Sequence, residues 1–137
     1  PGFVRWLEAE GVPQDADDDA RLRGLAAYYL TRAKRGDGQP LDPVARFHLG
    51  NGAAVHQVHA RADVSDKGEA QARGLMVNYL YDLSKLAQNH ERFAATREVV
   101  TSGEVRSLAA TAEKALARAE QGRPERAAGE EAEEAQP

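Results

Sequence analysis

Four histidines, His48, His56, His59 and His90, are the residues best suited to proton chemistry in this sequence. Imidazole exchanges a proton near neutral pH and can serve as an acid or a base. His48 stands just before Gly50, Asn51 and Gly52. A glycine-flanked turn lets backbone approach a ligand closely and offers N–H groups to it. His48 is thus either an ordinary polar residue or a catalytic one. Reading His48, His56 and His59 as metal ligands is weaker. The odd offset sends His56 and His59 to opposite faces of a regular strand, and no carboxylate motif accompanies them.

Tyr79 and Tyr81 are two residues apart and share a strand face. They serve either as core packing or as hydrogen-bond donors to an acyl group, and Asn78 could donate from the opposite face. Arg32, Lys34 and Arg35 form either a solvated helix end or a phosphate contact. Ser65 beside Asp63 invites a nucleophile reading, but a helix N-cap is the simpler role. The chain has no G-x-S-x-G elbow, P-loop or G-x-G-x-x-G.

The elements that must position these groups follow from periodicity. Apolar residues at 3, 4 and 7 fit the last turns of a helix closed by Gly11 and Pro13. The first residues start in mid-pattern, without Met, as in a piece of a longer chain. Asp15, Asp17, Asp18 and Asp19 suit a helix start. Residues 20–35 read as a helix with Leu22, Leu25, Ala26, Tyr29 and Leu30 on one face. VARFHL, after Pro43, reads as a short strand ended by a tight turn at 50–52. The stretch 57–63 alternates as a second strand, with Val58, Ala60 and Ala62 on one side.

Ser65 caps a short helix, and 74–83 reads as a buried strand with Leu75, Val77, Tyr79 and Tyr81 together. A helix then turns Leu83, Leu86 and His90 inward. Thr101 and Glu104 have capping-box spacing ahead of an alanine-rich helix, 105–119. Residues 122–137 read as a disordered acidic tail. The fold class is therefore α+β, with helices flanking too few strands to cover their own apolar faces.

Composition limits the partners. The 137 residues are 42% hydrophobic and 29% charged, an ordinary globular balance. The net charge of -4 is matched by the four glutamates in GEEAEEAQP at 129–137, so the body is near neutral. It lacks the broad basic face that nucleic acid requires. Without cysteine there is no thiolate chemistry. No apolar run reaches the roughly 18 residues of a membrane span, so no membrane partner is expected, and the cytoplasm is the default location.

Three segments then become specific in combination: LDPVARFHLGNGA at 41–53, ADVSDKG at 62–68 and GLMVNYLYDL at 74–83. Their order and spacing resemble malonyl-CoA decarboxylases, as does YYL…AKRG at 28–36. The similarity covers about residues 20 to 110. The resemblance implies that residues 1–121 are the C-terminal part of a catalytic domain, a partial acetyltransferase-like (GCN5-related) domain with a mixed sheet. It implies decarboxylation of malonyl-CoA to acetyl-CoA and CO2 by the full-length enzyme, with no cofactor and no metal, in a homo-oligomer. Its catalytic pair is a histidine, falling on His48, and a serine upstream of this chain, so neither Ser65 nor Ser84 takes that place. Asn51, Gly52 and Tyr81 match the substrate-side positions.

One departure lies at 59–61. His59, Ala60 and Arg61 stand where the family commonly has an Asn-Trp pair and an apolar residue, which could open a pocket wall. Two other functional classes compete: an acyl-CoA-binding acetyltransferase-like domain, and a non-catalytic helical interaction module. The polar strand face around His48 argues against the second.

Overall fold

The structure, a computed structural model, describes residues 2–12 and 19–121. The expected acidic helix start at Asp15, Asp17 and Asp18 and the expected tail at 122–137 lie outside those residues. The described elements run α1 (Gly2–Ala9), α2 (Asp19–Thr31), α3 (Pro43–Gly50), β1 (Ala54–His59), α4 (Asp66–Ala72), β2 (Met76–Leu80), α5 (Leu86–Thr96) and α6 (Gly103–Gln121). This is a mixed α+β arrangement in which helices flank a small antiparallel sheet.

Helix α2 is the core element. Eight of its 13 residues are buried, among them Leu22, Leu25, Ala26, Tyr29 and Leu30. A helix covered on so many sides must be packed by several neighbours. On one side α1 lays Phe3 and Trp6 against Tyr28 and Tyr29, with ring centroids 5.4 to 5.7 Å apart across the helices. On another, α6 presents Val105, Ala109 and Ala112, all buried. Small residues allow that close approach: a Cβ on Gly24 would lie 3.2 Å from the Leu108 carbonyl oxygen. Arg23 ties three elements, donating to the Val58 carbonyl at 2.9 Å and to Glu104 at 2.5 Å.

The sheet pairs β1 with β2, and β1 is held on its other edge too. Val55 accepts from and donates to the extended segment before α6, through Val100 O and Ser102 N. A bulge between Val55 and Gln57 breaks the alternation. Val55 and Val58, three apart, are therefore both buried, while His56 and His59 are both exposed. This corrects the expectation that those histidines face opposite ways, because the bulge inserts one residue into the period of two. Among the described residues no group of three or more His, Cys, Asp or Glu could hold a metal ion, and no helix is long and apolar enough to cross a membrane.

Several expected elements change. VARFHL is a helix, not a strand. Asp42 at φ -77° and ψ 122° accepts from Ala45 N through its side chain, and Pro43 occupies the first turn. A capping carboxylate followed by a proline with preset φ nucleates a helix, and a six-residue period could not outweigh it. The 50–52 segment is accordingly a helix end rather than a hairpin. Helix α2 stops at Thr31, four residues early, so Arg32, Lys34 and Arg35 lie beyond it.

Those three basic residues are engaged. Arg32 pairs with Glu113, Arg35 pairs with Asp37 at 2.7 Å, and Lys34 donates to the Arg97 carbonyl at 3.4 Å. Leu83 is 86% exposed rather than inward, and His90 is exposed too. The buried residues of α5 are Asn89 and Phe93. Strand β2 is only half-buried, with Met76 and Leu80 exposed.

The cap of α4 is Ser65, whose Oγ accepts from Gly68 N at 3.1 Å. The cap of α6 is Ser102 rather than Thr101. Its Oγ accepts from Val105 N at 3.2 Å and donates to His56 O at 2.7 Å, while Thr101 bridges Val55. We expect Ser102→Ala to cost about 1 kcal/mol or more in urea denaturation and Thr101→Ala less; equal costs would assign the cap wrongly.

Candidate active site around His48

His48 lies in the last turn of α3 and its ring faces β2. Two tyrosines hold it. Tyr79 stacks on the imidazole, with centroids 4.2 Å apart and planes 20° from parallel. Tyr81, just past the end of β2, places its hydroxyl 2.5 Å from His48 Nδ1. The stack sets the plane of the ring and the hydrogen bond sets its rotation within that plane. When the phenol donates to Nδ1, a neutral ring carries its proton on Nε2, the opposite edge. Tyr81 is 43% exposed, so this edge of the site is open. Phe47, itself 66% exposed, meets the imidazole edge-on at 5.2 Å.

The two tyrosines share a strand face as their spacing requires, but differ in environment. The Tyr79 hydroxyl is buried without a hydrogen-bond partner. It lines an apolar cleft of about 170 Å³ with Tyr29, Asp42 and Val58. Burial pushes its phenol far above the usual tyrosine range, and the neighbouring Asp42 carboxylate and Tyr81 add to that. Tyr79 thus stays neutral. Asn78 faces away and approaches His59 Nε2 at 3.0 Å.

The 50–52 segment is shaped by helix termination. Asn51 N donates to the His48 and Leu49 carbonyls, Gly52 N to Leu49 O, and Ala53 N to His48 O. Those N–H groups close the end of α3 and are not offered outward, contrary to the expected ligand cradle. The Asn51 side chain is exposed and donates to Phe47 O at 2.9 Å. Gly52 is buried at φ +88°, and a Cβ there would lie 2.4 Å from the Leu86 carbonyl oxygen. Helix α5 fastens the same turn: Asn89 donates to Gly52 O at 3.1 Å, and His90 Nδ1 donates to Gly50 O at 2.6 Å. Sequence reasoning missed Asn89, whose polar character on an otherwise inward helical position was the available signal.

Neither candidate serine stands near His48 in the hydrogen-bond network. Ser65 Oγ donates to Asp63 at 2.6 Å and Ser84 Oγ to Asp82 at 2.7 Å, both inside tight local turns. These bonds hold the Asp63 and Asp82 carboxyls below the usual carboxylate range. At 59–61, Ala60 packs against the core and Arg61, at φ 54°, pairs with Asp19 at 2.9 Å.

Two substitutions test this geometry. Gly52→Ala should destabilise the chain by about 2 to 4 kcal/mol, through the clash with Leu86 and the positive φ; a chemical denaturation midpoint unchanged from the parent would contradict the contact. Tyr79→Phe removes an unpaired buried hydroxyl and keeps the ring stack. It should be neutral or stabilising by about 1 kcal/mol, whereas a clear loss in the same assay would mean the hydroxyl has a partner.

The family model described as malonyl-CoA decarboxylase C-terminal domain matches residues 1–120. The mitochondrial malonyl-CoA decarboxylase of Mus musculus is 36% identical over 112 residues, covering 80% of this chain and 22% of the mouse protein. That of Anser anser anser is 38% identical over 103 residues, 75% of this chain and 20% of the goose protein. The crystal structure of malonyl-CoA decarboxylase from Rhodopseudomonas palustris superposes with a TM-score of 0.70 at 35% identity, over 79% of this chain and 31% of that one. The corresponding structure from Cupriavidus metallidurans gives 0.63 at 43% identity, over 75% and 26%. The chain thus spans about a fifth of the length of the curated relatives it matches. Those relatives are mitochondrial by name, which overturns the cytoplasmic expectation. That expectation rested on composition, and the composition of a folded domain does not encode its compartment. By the family match and the shared fold, the chain belongs to the malonyl-CoA decarboxylase C-terminal-domain family.

Proposed function

We propose that this chain supplies the histidine side of a malonyl-CoA decarboxylase active site, as the end of a larger catalytic domain spanning residues 1–121 here. The observation that carries the reading is the clamped imidazole of His48, stacked on Tyr79 and hydrogen-bonded to Tyr81. Loss of CO2 breaks the bond between the carboxylate and the α-carbon. The electron pair passes into the thioester enolate, and a proton must then reach the α-carbon. A ring proton on Nε2 is suited either to stabilise the enolate oxygen or to be delivered to carbon. Tyr81 bonds the other ring nitrogen and reinforces that tautomer. A serine from outside this chain is the proposed partner, orienting the leaving carboxylate, and no metal or organic cofactor is required by this scheme.

Asn51 and Gly52 act in this reading at the substrate side of the His48 turn, Asn51 through its exposed side chain and Gly52 by keeping the turn tight. An acetyltransferase-like sheet for the whole domain and a homo-oligomeric enzyme belong to the same proposal. Strand β2 supports a larger sheet. It pairs only with β1 among the described residues, and its Met76 and Leu80 are exposed, as are Val44 and Phe47 of α3. Apolar groups along an open sheet edge call for cover by further chain.

Release of CO2 from malonyl-CoA by the intact polypeptide, with the product thioester identified by mass, tests the reading. His48→Ala should lower turnover by roughly 10²–10⁴-fold, and Tyr81→Phe by about tenfold, both with the fold retained by circular dichroism. Full turnover in the His48 variant would remove the assignment.

A further inference from the structure

Behind the His48 turn, α3, α5 and the 35–39 segment enclose a cleft of about 290 Å³. Arg35, Arg46, His90 and Arg97 line it, and no carboxylate does. Arg46 and Gly50 each stand two residues from His48, about 200° round an α-helix, so this cleft opens on the opposite side of α3 from the imidazole. Such a gathering of cations is unexpected in a chain with 22 acidic and 18 basic residues, because like charges in one concavity repel.

Arg46 and Arg97 are held in place without being neutralised. Arg46 Nη1 donates to Pro40 O at 3.3 Å and Arg97 Nη1 to Ala94 O at 3.3 Å. Neither pairs with a described carboxylate, and each bond uses one of five guanidinium N–H groups. The Arg97 guanidinium lies 6.0 Å over the Phe93 ring, and its stem packs where a Cβ on Gly38 would stand, 3.3 Å away. His90 turns Nδ1 to Gly50 O at 2.6 Å, which leaves Nε2 as its remaining polar atom. At Gly50 an added Cβ would meet nothing within 4 Å, so the cleft is open there. Arg35 contributes less, since Asp37 already takes two of its N–H groups.

We propose that this cleft binds a phosphate group, with Arg46 and Arg97 as its principal donors and His90 beside them. Preorganised guanidiniums with unused N–H groups match phosphate oxygens in both charge and geometry, and the cleft has the volume of a small ligand site. The site involves neither His48 nor either tyrosine partner. The group belongs either to free phosphate or to a nucleotide.

The test is a titration of the chain with inorganic phosphate and, separately, with adenosine 5′-monophosphate at constant ionic strength, followed by backbone amide NMR. Saturable shifts are expected at Gly50, His90, Ala94 and Arg97. Arg46→Gln and Arg97→Gln should each weaken the affinity by about tenfold, while the amide spectrum elsewhere stays unchanged. Tighter binding of the nucleotide assigns the phosphate to a nucleotide, and equal affinities assign it to free phosphate; either supports the site. Shifts that do not saturate, or affinities unchanged in both variants, overturn it, and the arginines then serve only to compensate the carbonyl ends of α3 and α5.

Discussion

The approach of Gly52 to Leu86 is the contact on which the rest of the site depends. With no side chain and a φ of +88°, Gly52 lets the backbone at the start of α5 come against the turn that ends α3. Asn89 then satisfies the buried Gly52 carbonyl, and its own amide is satisfied in return. An unpaired group in that position would cost about 1–3 kcal/mol. The same turn closes α3 and delivers the chain directly into β1, one residue later. The direction in which His48 leaves its helix is thereby set by backbone packing, on the side away from its own ring.

Strand β1 transmits that constraint to the core. It is hydrogen-bonded to β2 on one edge and to the segment before α6 on the other. Its bulge lets two valines three residues apart enter the core together. Burying each contributes about 1.5–3 kcal/mol relative to exposure, so the bulge is stabilised by packing rather than tolerated by it. The valines lie against α2, and the Arg23 contact to Val58 O and Glu104 locks the same strand to both long helices. Because β2 pairs with β1 in fixed register, Tyr79 and Tyr81 arrive at the imidazole with little freedom.

The polar chemistry of the domain is divided between the two sides of α3. On one side a single imidazole is held by aromatic residues, with the site open at Tyr81. On the other, guanidiniums collect at the carbonyl ends of two helices. A short helix can do both because residues two apart diverge by more than half a turn. Read as a strand, the same stretch would place Arg46, His48 and Gly50 on one face, so it is the helix that separates the imidazole from the arginine cleft.

The sequence by itself determined the α+β class, the inward face of α2, the cap at Ser65, the pairing of Tyr79 with Tyr81 on one face and, through three motifs taken together, the family. These rest on local periodicity, on side chains that bond to nearby backbone and on the joint spacing of whole segments, all of which are written within a short stretch of chain. Asp42 and Pro43 also carried a legible helix start, one outweighed in reading by the glycine-rich turn that follows. Only the tertiary structure decided the bulge at Val55, the choice of Ser102 over Thr101 as a cap, the inward turn of Asn89 and the hold of two tyrosines on His48. Each of those depends on a partner more than 20 residues away, and an alternating pattern carries no record of which distant surface will arrive to bury one residue or bond another.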